Sequence, residues 1–400
     1  MLIVPIGSGK GGVGKSLLAA NLSIALAEAG RKVVLVDLDL GASNAHTMLG
    51  LRGVSRGIGT FLSAPRASFD DIVLPTEYEG LSFVPGDAEM PGTASLTPAQ
   101  KRRLVRCLEA LPFDIMVLDL GPGAGSNPLD FFLLAAGGIV VTTPVLTSLL
   151  NAYLFLKNVV FRALYATAPA HSRAFSILEG LRKDREAGLQ RVSVPKILSE
   201  IQREDPESHA LMARSLARLQ PRLVLNMVED PAEVEKAEKL RASVRDFLGI
   251  ECGHLGVIFR DELQSVALGS RLPILRYKPG SVLSRALYRI ADKILASPLD
   301  PPRPPWLPRV EASASPVPEP DAEPGASSAP LPASGAAAEA EEDFQALRHD
   351  LEDLLASGTL TMADLVESVR TQQIELSSLR RENALLKARL SSPGRQNGKA

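Results

Sequence analysis

Gly9-Lys10-Gly11-Gly12-Val13-Gly14-Lys15-Ser16 is the stretch whose residue types and spacing most plainly carry chemistry. It fits G-x-x-x-x-G-K-[ST], in which glycines let successive backbone N–H groups converge on phosphate oxygens and the next helix offers its positive end. In that pattern Lys15 neutralises the terminal phosphates and the Ser16 hydroxyl ligates Mg²⁺, so the expected ligand is a Mg-bound nucleoside triphosphate. Lys10 is a second lysine inside the loop, and a phosphate grip within one chain does not need it.

Three acids extend this chemistry. Asp37 and Asp39 close the apolar run KVVLVDLDL. Carboxylates at the carboxyl ends of parallel strands face the crevice where ligands bind, and strand alternation puts these two on one side. Taken alone, they could also be solvated loop acids. Asp119 closes a further expected strand, Phe113-Asp114-Ile115-Met116-Val117-Leu118-Asp119. Apolar residues leading into Asp form the Walker B pattern, whose carboxylate holds the Mg²⁺ shell. The following Gly121-Pro122-Gly123 reads as a mobile switch able to sense a γ-phosphate.

Positioning these groups takes strands that end at them and a helix that starts at Lys15. Leu2 to Ile6 reads as a buried strand, Lys15 to Ala29 as a helix ended by Gly30, and Lys32 to Leu38 as a strand covered on both faces. That βαβ unit predicts an α/β fold with a doubly wound, mostly parallel sheet. Further strands are expected at Gly138–Thr143, Arg222–Met227 and His254–Phe259. Helices are expected at Ser148–Leu164 and Ser281–Ala296, and a surface helical insertion at about 166–220.

Composition narrows the function classes. The 400 residues carry a formal net charge of −2, which argues against a general electrostatic grip on nucleic acid. Cys107 and Cys252 lack C-x-x-C spacing and suit a reducing cytosol. The longest apolar run, Phe131 to Val141, is too short to span a bilayer, and the start lacks signal-peptide features. A cytoplasmic protein is expected.

Residues 1–297 read as the globular domain, and 298–340, rich in Pro and Ala, as a disordered linker. Residues 341–391 read as an α-helical tail and 392–400 as a disordered end. Within the tail a coiled coil fits 361–390. Leu365, Gln372, Leu379 and Leu386 take d positions, while Val369, Leu376, Asn383 and Leu390 take a positions. Asn at a favours a parallel pair, and Glu375 and Glu382 would meet Arg380 and Lys387 of a second copy. The alternative is one amphipathic helix packing on another protein.

GKGGVGKS with its extra lysine resembles the deviant Walker A ATPases of the MinD/ParA type over roughly residues 1–297. Within that group the stretches VVLVDLDLGASNAHTMLGL, VTTPVLTSLLNAY and LVLNMV are similar to the FlhG (FleN, YlxH) family of flagellar placement and number regulators. The resemblance implies ATP and Mg²⁺ as cofactors, with Gly9 to Ser16 as the phosphate loop. Lys10 would cross a homodimer interface to the partner's phosphates. Lys15 and Ser16 would hold phosphate and Mg²⁺, with Asp119 as Walker B acid and Asp37 supporting metal and switch. Asp39 would orient the attacking water, and Asn226 would hydrogen-bond the adenine. It further implies an FlhF-like GTPase or flagellar basal-body components as partners and peripheral contact with the inner face of the plasma membrane. This chain departs from the family in four places, one of them the insertion near residues 166–220, which lengthens the domain. It begins at its first strand, where FlhG proteins commonly carry an extension that stimulates FlhF. It has Phe259 where G-x-I-P-x-D has Pro, and its linker and coil stand where a membrane-targeting helix is usual.

Two other readings share the loop. A ParA-like partitioning ATPase would bind duplex DNA non-specifically, and Lys101, Arg102, Arg103 and Arg106 form one basic cluster. A metal-cluster carrier would need thiols, and two isolated cysteines do not supply a site.

Overall fold

The computed structural model describes residues 1–296, apart from 42, 53–55, 65–66, 87–95 and 184–192. The expectations for the linker, the helical tail and the chain end lie outside the described residues.

The chain runs β1 (Leu2–Gly7), α1 (Lys15–Glu28), β2 (Val33–Leu38), α2 (Ala45–Met48) and α3 (Ile58–Ser63). It continues through β3 (Leu74–Pro75), β4 (Leu81–Val84), α4 (Pro98–Glu109), β5 (Ile115–Leu120), α5 (Ser126–Phe132), β6 (Ile139–Thr142) and α6 (Leu146–Thr167). Next come α7 (Arg173–Lys183), α8 (Val194–Glu204), α9 (Pro206–Arg218), β7 (Arg222–Val228) and α10 (Val234–Ser243). The last elements are β8 (Gly253–Phe259), α11 (Leu263–Gly269), α12 (Ile274–Tyr277) and α13 (Val282–Leu295).

Eight strands form one sheet in the order β3-β4-β2-β5-β1-β6-β7-β8. Every pairing is parallel except the short β3–β4 edge. Both faces are covered. Val34, Val36, Met116 and Leu118 point into one apolar layer, with α4, α5 and α6. Val33, Leu35, Ile115 and Val117 point into the other, with α1, α12 and α13. Strands buried on both sides are why these runs read as continuous Val/Leu/Ile and not as alternation. The doubly wound, mostly parallel α/β architecture is the one expected.

Alternation then fixes the acids. Asp37 and Asp119 continue the Val33–Leu35 and Ile115–Val117 series, so both face the α1 side, and they stand opposite each other in the β2–β5 register. Helix α1 is buried nearly all round, because it lies between the sheet and α13. Leu18, Leu22, Ala25 and Leu26 are therefore only part of its buried surface, which also takes in Ala19, Ala20 and Ile24.

Between α6 and β7, α9 packs onto α6, α8 onto α9 and α7 onto α8, and α7 also meets α6 where the Tyr165 hydroxyl donates to the Leu178 carbonyl at 2.9 Å. Ala174, Leu178, Ile197, Ile201, Met212 and Leu216 join the same apolar layer as α6. Asp205 caps α9 by accepting the Ser208 N–H at 3.1 Å, a contact typically worth about 1 kcal/mol.

Candidate functional site

The phosphate loop leaves β1 at the centre of the sheet and enters α1 through Gly14, which has φ +90. That left-handed turn is the conformation glycine tolerates and side chains resist. Gly9 is required for a different reason. A Cβ there would lie 1.8 Å from the Asn151 carbonyl oxygen, so the loop runs directly against the first turns of α6.

Lys15 is 7% exposed, and three carboxylates surround it. Burial pushes its pKa down, while Asp119, then Asp39, then Asp37 oppose that shift. The acids differ sharply among themselves. Asp37 is wholly buried, yet each oxygen is engaged: one accepts the Asp39 N–H at 3.0 Å, the other the Ser43 hydroxyl at 2.7 Å and the Ala45 N–H at 3.1 Å. It thereby shapes the turn that carries Asp39. Burial still moves its pKa upward against those bonds.

Asp119 is wholly buried, and neither oxygen meets a donor in hydrogen-bond geometry among the described residues. Burial and the Asp37 charge push its pKa up to about 8, while the neighbouring Ser16 hydroxyl and Lys15 pull it down. Buried carboxylates without donors are costly, so this one points to an absent cationic partner. An all-oxygen pair of Ser16 and Asp119 suits Mg²⁺, which usually takes one or two protein oxygens and shares the rest with phosphate and water. Among the described residues no group of three or more His, Cys, Asp or Glu could hold a metal ion by itself.

Asp39 is half-buried, and its carboxylate lies beside Gly121: a Cβ on that glycine would sit 3.3 Å from Asp39 Oδ1. The segment after β5 is held to the loop's flank, since Gly123 N–H donates to the Ser8 carbonyl at 3.0 Å. Lys10 reaches along α6, where its Nζ donates to Thr147 Oγ1 at 3.3 Å. Asn226, 5% exposed, comes to the loop from β7. Its Nδ2 donates to the Val13 carbonyl at 2.8 Å and its Oδ1 accepts the Met227 N–H at 2.9 Å.

Lys10, Lys15, Ser16, Asp37, Asp39, Asp119 and Asn226 all converge on the loop, although they are spread over more than two hundred residues of chain. Asp261 does not join them as a free group; it accepts the Leu263 N–H at 3.0 Å at the start of α11. Thr147 and Asn151 are neighbours that sequence reasoning missed. Their segment, VTTPVLTSLLNAY, carried the family resemblance, which was the signal available.

The other candidate features are taken up elsewhere. In the basic cluster, Lys101 pairs with Asp130 at 2.6 Å and Arg103 stacks 4.1 Å over the Phe61 ring. Cys252 is buried, which pushes its thiol up to about 12 and keeps it protonated and unreactive. No helix among the described residues is long and apolar enough to cross a membrane.

Residues 2–158 match the ParA family model, described as NUBPL iron-transfer P-loop NTPase. The antiactivator FleN of Pseudomonas aeruginosa is 31% identical over 157 residues, covering 39% of this chain and 55% of that protein. The septum site-determining protein MinD of Helicobacter pylori is 28% identical over 198 residues, covering 49% of this chain and 73% of that protein. Among solved structures, MinD of Pyrococcus horikoshii complexed with Mg-ADP is 22% identical with a TM-score of 0.49, covering 74% of this chain and 97% of that one. The chain spans about half the length of the first curated relatives it matches. Residues 2–158, which hold the loop and the three acids, are thus the part of this chain that matches a P-loop NTPase domain of the ParA family.

Proposed function

We propose that this protein binds and hydrolyses Mg-ATP to pair two of its copies face to face, and that it acts as a MinD-like spatial regulator of flagellar assembly or number. The observation that carries the ATPase reading is the unpartnered Asp119 carboxylate beside Ser16 and Lys15. Mg²⁺ bound there by Ser16 and Asp119 would neutralise charge on the β- and γ-phosphates. Lys15 grips the terminal phosphates, and the loop's backbone N–H groups hold the rest. Asp39, fixed by Asp37 and lying against Gly121, orients the water that attacks the γ-phosphorus as the bond to ADP breaks. The strand-following segment is tied to Ser8 through Gly123, so loss of the γ-phosphate is felt there. Lys10, parked on Thr147, is the charge offered to a second copy.

The likeness to FleN supports the flagellar reading. Two observations weigh against the alternatives. Only two cysteines occur in the whole chain, too few thiolates for an iron–sulfur cargo within one copy. The basic cluster on α4 is partly consumed by Asp130 and Phe61, which leaves less for duplex DNA.

Asp39→Ala should keep Mg-ATP binding within a few-fold and slow phosphate release roughly hundredfold or more, as loss of a water-positioning group does. Unchanged turnover would remove Asp39 from the mechanism. Cells lacking the protein should differ in flagellar number or placement by electron microscopy. Normal flagella alongside ATP-dependent, salt-sensitive binding to arbitrary duplex would transfer the assignment to DNA partitioning.

A further inference from the structure

We propose that Asn226 is a positioning residue for the phosphate loop, its carboxamide tying a bulge in β7 to the Val13 carbonyl and so holding the loop's last turn in place. The backbone supplies the first half of the argument. Strands β7 and β8 pair Leu225 with Val257 and then Val228 with Phe259, so two β7 residues oppose one on β8. Bulges of this kind bend a strand and re-aim a side chain, and they gather beside active sites. Within it, Met227 takes φ +58, a left-handed conformation that non-glycine residues adopt only when their surroundings enforce it.

The side chain supplies the second half. Oδ1 accepts the Met227 N–H, which fixes the amide's orientation, and Nδ2 is thereby turned onto Val13. The two bonds agree on which atom is nitrogen and which is oxygen. The fit extends to the next residue: a Cβ on Gly14 would lie 2.3 Å from Asn226 Nδ2. Gly14 and Asn226 are therefore matched, one lacking a side chain where the other is seated. A carbonyl in a phosphate-binding loop would repel the ligand's anionic oxygens if it turned inward, and Asn226 holds the Val13 carbonyl outward.

This role rests on the nucleotide reading for what the loop grips, but the anchoring itself exists without ligand. The test uses the full chain carrying Asn226→Ala, with Asn226→Ser as a milder second variant. In the nucleotide-free protein, amides of residues 11–16 should exchange hydrogen roughly tenfold faster, the scale expected for one lost buried hydrogen bond, with β1 and β5 unchanged. Affinities for Mg-ATP and Mg-GTP should fall by one common factor. Unchanged exchange in the loop, or a loss confined to ATP, would make Asn226 a base contact and overturn the proposal. Faster exchange throughout the core in both variants would reduce it to general packing, also overturning it. Wild-type protein that binds neither nucleotide would sink the nucleotide reading and leave the exchange result to judge the anchoring.

Discussion

Lys15→Ala should abolish nucleotide turnover, with a loss of roughly a hundred- to a thousandfold, the scale seen when a preorganised charge-stabilising group is removed. The size follows from the surroundings. Lys15 is nearly sealed from water, where a charge acts through a low effective dielectric. It is also the cation that Asp119, Asp39 and Asp37 all act upon. Without it, phosphates would enter a pocket whose remaining side-chain charge is negative. Titration calorimetry with Mg-ATP checks this, and Lys15→Met, which keeps the buried aliphatic stem, separates lost charge from lost packing. Both variants should fail to bind. Near-normal affinity in either would show that the backbone amides alone hold the phosphates.

Asp119→Asn should have opposite effects on activity and stability. Activity should fall at least a hundredfold, because an amide cannot replace a carboxylate in the Mg²⁺ shell. The nucleotide-free protein should become more stable at alkaline pH. The folded-state pKa of Asp119, about 8, lies above the unfolded value near 4. Its contribution to stability therefore declines as pH rises between those values, because the folded state resists ionisation that the unfolded state accepts. An unsatisfied buried polar group costs about 1–3 kcal/mol, and roughly 2–4 °C of melting temperature accompanies each kcal/mol in a domain of this size. Asparagine removes the ionisation, so the variant should melt several degrees above wild type at pH 8, and the gap should close toward pH 4. A variant that melts lower at pH 8 than wild type would mean the carboxylate is already paired.

The site was legible from sequence to the extent that its chemistry is local. The loop is eight consecutive residues, and each acid closes an apolar run whose strand character is written in Val, Leu and Ile. What could not be read is non-local. Asp37 meets Asp119 only because β5 inserts between β2 and β1, a pairing no single segment encodes. Strand β4 is four residues, Leu81–Val84, between turn-rich segments, too short to stand out. Helix α5 follows a glycine-rich segment and holds Pro128 in its first turn, so the sequence signals no helix at Ser126–Phe132. Helix α6 was expected from Ser148 but begins at Leu146, and that extra half-turn puts Thr147 within reach of Lys10. The bulge at Asn226 and Met227 has no signal at all, since Met gives no hint of a left-handed backbone.

Local and distant features meet in the idea of a pair. Lys10 turns its Nζ to Thr147 on α6, and the proposal is that a second copy receives it. Energy transfer between donor- and acceptor-labelled copies tests this directly. Dyes on Ser126→Cys, an exposed position, in an Asp39→Ala, Cys107→Ser background report approach of the two domains whether or not their tails already join them. Transfer should rise with Mg-ATP, stay low with Mg-ADP, and fail to rise once Lys10→Ala is added. Equal transfer in ATP and ADP, with ATP demonstrably bound, would contradict the paired switch.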